Sequence, residues 1–165
     1  MKTLYQNPWF RVVQDGRYHY VVEESGHQGA AILPVVAGGD VLLLRVPRAA
    51  HGGEALLEIP RGCADAGESS LECARRELAE ETGYQVAPER LERLGRIRPN
   101  SALLASRVDL YLAHIDESLP TLPRDDEADE VVRIPLTRLR VMLREGDIED
   151  AFTLSALALY FNRVE

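Results

Sequence analysis

Apolar residues fall along the chain in short runs broken by Gly, Pro and Asp, and one stretch near the middle has a different period. The runs at residues 10–13 and 18–22 flank Asp15-Gly16, a pair suited to a tight turn, and predict a β-hairpin. Residues 30–36 and 41–46, separated by Ala-Gly-Gly-Asp, predict two more strands, and residues 55–59, stopped by Pro60, a third. Further strands are predicted at 91–97, 108–115 and 131–134. Residues 136–144 and 150–161 read as helices, the second apolar almost all round, which predicts burial. In the middle stretch Leu71, Ala74 and Leu78 recur at helical spacing, Ser69 with Glu72 forms a capping-box signature, and Gly83 stands where the helix would end. Strands and helices interleaved in this way predict one α/β domain over residues 1–165, a sandwich with a mixed sheet and an N-terminal hairpin.

Charge narrows the function. The 165 residues carry a formal net charge of −8, which argues against a nucleic-acid backbone or an anionic membrane surface as partner, because both need a basic face. An anionic substrate would then need metal ions as mediators. No apolar run has signal-peptide or membrane-span character. Cys63 and Cys73 form no C-x-x-C pair and read as free thiols, so the expectation is a cytoplasmic protein. His19, His27, His51 and His114 show no ligand spacing and read as structural or surface residues.

The candidate chemistry lies in the middle helix. Glu77, Glu80 and Glu81 fall three and four apart beside the apolar stripe, and Glu68 precedes the helix. Like charges so crowded push one another's pKa upward and cost stability unless something cationic sits among them. Hard oxygen donors in this arrangement suit Mg2+, or Mn2+ in its place. The residues form the pattern G-x5-E-x7-R-E-U-x-E-E-x-G-U, where U is apolar: Gly62, Glu68, Arg76, Glu77, Leu78, Glu80, Glu81, Gly83 and Tyr84. Chance occurrence in a chain of this length is on the order of one in a million. The pattern resembles the Nudix box at every fixed position, with Tyr84 where an aliphatic residue is more usual.

The resemblance implies a Nudix-type α/β/α sandwich and a magnesium-dependent hydrolase of nucleoside diphosphates linked to another moiety. It implies Glu77 and Glu81 as metal ligands, Glu80 as ligand or orienter, Arg76 as the residue that positions them, Glu68 as a supporting carboxylate, and the main-chain carbonyl of Arg61 as a further ligand. Pro99, 16 residues after Gly83, and the segment Gly146, Ile148, Asp150, Ala151 and Thr153 resemble the ADP-ribose pyrophosphatase branch. That branch implies ADP-ribose or a related nucleotide sugar as substrate and a homodimer as assembly. Read alone, Asp150 is a helix N-cap and Pro99 a turn residue. Arg48 is the arginine of a phosphate-clasping segment or a solvated loop residue. Trp9 and Phe10 sit where similar enzymes stack a nucleobase, and packing in a core or interface is their other reading. Arg61 departs from the small residue usual in that branch.

The branch also implies a general base in a late acidic loop, here Arg-Asp-Asp-Glu-Ala-Asp-Glu at 124–130. Glu127 is the first candidate, then Glu130, Asp126 and Asp129, and Glu80 within the box is the rival. Two other readings share the fold: a hydrolase of nucleoside triphosphates or dinucleoside polyphosphates, and a nucleotide-binding regulator, against which the four retained glutamates argue.

Overall fold

A computed structural model describes residues 1–23, 28–119, 121–126 and 128–164. Three strands at the N-terminus, β1 (Lys2–Gln6), β2 (Phe10–Asp15) and β3 (Tyr18–Glu23), form a separate antiparallel sheet in the order β1-β2-β3. The hairpin is where the sequence places it, but Asp15 pairs with Tyr18, so the turn is Gly16-Arg17, with Gly16 at φ 57. β1 is an addition. All five of its residues are exposed, so it carries no apolar run, and it joins by main-chain pairing to β2.

The second sheet is mixed. It runs β10 (Glu130–Pro135), β5 (Asp40–Arg48), β4 (Gln28–Val36), β9 (Arg107–Ile115), β8 (Leu91–Ile97), with β4 and β9 parallel over nine residue pairs and the other neighbours antiparallel. β4 and β5 pair only at their turn, Val35 with Val41 and Val36 with Asp40, and then diverge. The gap is filled by the next piece of chain: β6 (Glu54–Glu58) pairs with β5, and β7 (Arg61–Cys63) crosses over to pair with β4. Pro60, which lacks an N–H, stands at the crossing, and its carbonyl still accepts Ile32 N–H at 2.8 Å.

Alternation along β4 feeds two cores. Ala31 and Leu33 face α2 (Leu136–Glu145) and α3 (Ala151–Val164) with Leu139, Ala156 and Leu157, while Ala30 and Ile32 face α1 (Ser70–Thr82) with Cys73, Ala74 and Leu78. Each fully buried Leu or Ile stabilises the fold by about 1.5–3 kcal/mol, and helices on both faces make the expected α/β/α sandwich. One expectation needs correcting. α3 is not buried all round: Thr153, Ala156, Leu157 and Phe161 are buried, but Leu154 is 37% exposed and Ala158 is exposed, because the helix lies on the outside of the sheet. Among the described residues no helix is long and apolar enough to cross a membrane. Neither cysteine is in a disulfide among the described residues; Cys63 is exposed and Cys73 buried. His19, His51 and His114 are exposed, and His27 lies outside the described residues.

On the α1 face of β8 and β9, Asp109 is buried between Arg93 at 2.6 Å and Arg96 at 2.9 Å. Burial pushes its carboxyl up, but the hydrogen bonds from Arg96 and Arg93 prevail and hold it at about 2 instead of 3.8. The unfolded chain therefore takes up the proton first as pH falls. The stabilisation is present above pH 3.8 and lost on approach to pH 2. Both arginines are about half exposed, so solvent reduces the pair's contribution to roughly 1–2 kcal/mol. Asp109→Asn should lower unfolding free energy by that amount at pH 7 in a denaturant titration, and the gap to the parent protein should close near pH 2.

Candidate active site

The helix carrying the glutamates starts where a capping box fixes it. Ser69 Oγ accepts Glu72 N–H and Glu72 Oε2 accepts Ser69 N–H at 2.9 Å, a reciprocal pair that satisfies two otherwise unpaired donors. The helix ends at Gly83, which has φ 83 and whose Cβ would lie 2.6 Å from the Leu122 carbonyl. Only glycine meets both conditions there. With Cys73, Ala74 and Leu78 packed on the sheet, Glu77 and Glu81 turn toward β7 and are buried, while Glu80 lies at the rim.

Arg76 supplies the cation that the crowded acids need. Its Nη1 donates to Glu77 at 2.7 Å and Glu80 at 3.0 Å, its Nε and Nη2 to Glu68 at 3.1 and 3.0 Å, and its Nη2 also to the Cys63 carbonyl at 2.9 Å. That cation offsets the crowding at Glu68: the hydrogen bond from Arg76 holds its carboxyl below the usual range. The bond to Glu68 in turn raises the Arg76 pKa, against the opposing effect of burial. Cys73 beneath them is pushed up to about 12, by burial first and then by the Glu77 charge, so its thiol is chemically inert.

Glu81 meets the main chain instead. Its Oε2 accepts Arg61 N–H at 2.8 Å, and next to it Glu77 lies so close to Gly62 that a Cβ there would come within 2.0 Å of Oε1. The carboxylates of the box and the main chain of Arg61 and Gly62 therefore share one small space. Among the described residues no three His, Cys, Asp or Glu side chains are gathered as an ion's ligand set, because Arg76 lies between Glu77, Glu80 and Glu68. The donors themselves fit Mg2+ or Mn2+: they are oxygen only, carry excess negative charge, and adjoin main chain stripped of side chain at Gly62.

A second charged cluster adjoins the first: it joins the candidates Arg48 and Arg61 through Glu58, which no motif marks. Glu58, 1% exposed, takes two bonds from Arg48 at 2.8 and 2.6 Å and one from Arg61 at 2.7 Å. Burial pushes its carboxyl up, but the bond from Arg48 and the charges of Arg61 and Arg48 prevail and hold it below the usual range. The signal was available, since a glutamate closes an otherwise apolar run, Ala-Leu-Leu-Glu-Ile-Pro. Arg48 thus meets Glu58, and its side chain is 28% exposed. The Arg61 guanidinium also lies over the Phe152 ring at 4.3 Å.

A cavity opens beside the cradle, lined by Arg61, Cys63, Glu23, Pro99, Ser106 and Phe152. It adjoins a cleft lined by Trp9, Phe10, Val21, Glu23 and Cys63, so the N-terminal sheet forms one wall. Pro99 and Trp9 are therefore both near the box. Trp9 is 74% exposed, which rules out core packing within the protomer. The acidic loop is also close: Leu122 N–H bonds to the Gly83 carbonyl at 2.8 Å and Asp125 N–H to the Glu80 carbonyl at 2.9 Å. Within it Asp126 and Asp129 are exposed, Glu130 pairs with Arg45 at 3.5 Å, and Glu127 lies outside the described residues.

Gly62→Ala isolates the cradle from the fold. The three atoms nearest the new methyl all belong to the flexible end of Glu77, so thermal stability should stay near that of the parent protein. The displaced Glu77 carboxylate should weaken Mn2+ binding, followed by electron paramagnetic resonance, by about tenfold or more.

Comparison with known proteins places these features in a family. A model of the NUDIX domain matches residues 26–155. GDP-mannose pyrophosphatase of Pectobacterium atrosepticum is 32% identical over 144 residues, covering 82% of this chain and 73% of the relative. That of Yersinia enterocolitica is 31% identical over 144 residues, covering 82% and 74%. The crystal structure of an ADP compounds hydrolase superposes with a TM-score of 0.74 over 99% of this chain and 90% of its own, at 24% identity, and is alike in fold. The span matched contains the whole glutamate helix and the strand crossing that holds it, and the chain belongs to the Nudix family.

Proposed function

We propose that the protein is a divalent-metal-dependent pyrophosphohydrolase that cleaves the diphosphate of a nucleotide sugar to a nucleoside monophosphate and a sugar phosphate. The observation that carries this reading is the convergence of Glu68, Glu77 and Glu80 on Arg76, with Glu77 against Gly62 and Glu81 on the Arg61 N–H, beside a cavity. The relatives named GDP-mannose pyrophosphatase support a sugar-linked diphosphate as substrate. Glu77, Glu81, Glu80 and the Arg61 carbonyl would hold the metal. Bound there, Mg2+ would neutralise the diphosphate and lower the pKa of the attacking water.

The chain's own groups divide the remaining work. Arg76 fixes Glu68, Glu77 and Glu80 with a rigid fork of donors. Arg48 and Arg61, held by Glu58, offer positive charge toward the substrate's phosphates. Trp9 and Phe10 offer ring faces for a nucleobase, and Pro99 shapes the cavity wall. Glu127 is proposed as general base, because the loop on either side of it is docked on the box at Asp125 and in the core at Ala128.

Chromatography of reactions with GDP-mannose, ADP-ribose, a dinucleoside polyphosphate and a nucleoside triphosphate, each with Mg2+, tests the reading. Nucleotide sugars should be cleaved most efficiently, giving a nucleoside monophosphate and a sugar phosphate. A triphosphate turned over far faster than any nucleotide sugar, or no hydrolysis at all, would overturn it. In the same assay Glu127→Gln should reduce turnover by about a hundredfold with Mn2+ binding unchanged, and a larger loss in Glu80→Gln alone would move the base into the box.

A homodimer is proposed as the assembly, supported by the apolar surface of the N-terminal sheet, where Trp9 is 74%, Tyr18 63%, Tyr5 54% and Leu4 46% exposed. Sedimentation equilibrium should give twice the chain mass of 18.4 kDa, and a single chain mass at micromolar concentration would contradict it.

A further inference from the structure

The Asp150 to Thr153 segment is fastened to the strand crossing that holds the glutamates. Thr153 is fully buried, and its Oγ1 accepts Ile59 N–H at 2.9 Å across 94 residues of sequence. The same hydroxyl donates to Asp150 Oδ2 at 2.7 Å, and that oxygen also accepts Thr153 N–H at 2.8 Å as the cap of α3. A second contact runs in parallel: the Arg61 guanidinium stacks on the Phe152 ring at 4.3 Å and lies 3.9 Å from Asp150.

Two residues beyond Ile59 the same chain meets the carboxylates. Arg61 N–H donates to Glu81 at 2.8 Å, and Gly62 is in van der Waals contact with Glu77. Between the two anchor points stands Pro60, with its restricted φ and its carbonyl bonded to Ile32 N–H. The link from Thr153 to Glu81 is thus short, stiff and buried. A shift at Ile59 is carried through Pro60 to Arg61 and Gly62, which also pair with Ala31 and Ala30 of β4 and are packed against the carboxylates without slack.

We propose that Thr153 is a positioning residue of the metal cradle: by holding Ile59 N–H it sets the place of Arg61 and Gly62, and through them of Glu81 and Glu77. This rests on the proposal that those two glutamates bind the metal. Asp150 orients the Thr153 hydroxyl by accepting its hydrogen bond, which leaves the oxygen lone pairs directed at the Ile59 N–H. The C-terminal helix then acts on the cradle through main chain, and its start is part of the metal site without being a ligand.

The test is Mn2+ binding to the folded protein without substrate, followed by electron paramagnetic resonance, together with thermal unfolding in the absence of metal. Thr153→Val keeps the volume and removes the acceptor, and should raise the Mn2+ dissociation constant by about tenfold or more. Thr153→Ser retains the hydroxyl and should restore binding to about the parent value. Leu157→Ala, in the same helix and core, should lower the unfolding temperature through its cavity while Mn2+ binding stays unchanged. If Thr153→Val does not fold, Thr153→Cys, with only a weak sulfur acceptor, carries the same expectation. Parent-like binding in Thr153→Val or Thr153→Cys, or equal weakening in Leu157→Ala, would overturn the inference. Failure of the parent protein itself to bind Mn2+ would overturn the metal assignment and this inference with it.

Discussion

One guanidinium, that of Arg76, allows three carboxylates to share the space beside β7. Two like charges 4 Å apart repel by about 4 kcal/mol at an effective dielectric of 20, so an uncompensated cluster would consume much of a typical stability of about 5–15 kcal/mol. Arg76 reverses the sign. It donates to Glu68, Glu77 and Glu80 and fixes a fourth contact on the Cys63 carbonyl, so the acids are tied to the strand as well as to each other. The depressed pKa of Glu68 follows from that bond.

The cluster could not sit there without the split in the sheet. Because β4 and β5 part after their turn, the chain from Glu58 to Cys63 threads between them and brings Arg61 and Gly62 against the helix. Glu58 stabilises the crossing with two arginines, and Ile59 is held from the other face by Thr153. Helix α1, the crossing and the start of α3 therefore form one mechanical unit. The cavity lined by Arg61, Phe152 and Pro99 lies along it, so the arginine charge proposed to meet phosphate and the oxygens proposed to bind metal are placed by the same few residues.

Much of this was legible in the sequence wherever a local rule and the global fold agree. The limits of α1 were readable because the Ser69 box and Gly83 are chemical end signals. Strand β1 was not, since Lys2–Gln6 is exposed throughout and joins by main-chain bonds that leave no apolar pattern. The partial exposure of α3 escaped notice because Leu154 and Ala158 look like core residues in composition. In the site, the box identified which acids gather, but not that Arg76 would part them or that Glu81 would turn to Arg61 instead. Those outcomes depend on the splayed sheet, a long-range feature with no signature in spacing.

The central claim is that Glu77, Glu81 and the main chain at Arg61 bind a divalent cation. Anomalous diffraction from crystals grown with Mn2+ tests it most directly. A peak within ligand distance, about 2.0–2.3 Å, of a Glu77 or Glu81 oxygen and the Arg61 carbonyl is the expected result. Well-ordered crystals with no peak in the cradle, or with Mn2+ bound only at other surface acids, would contradict it.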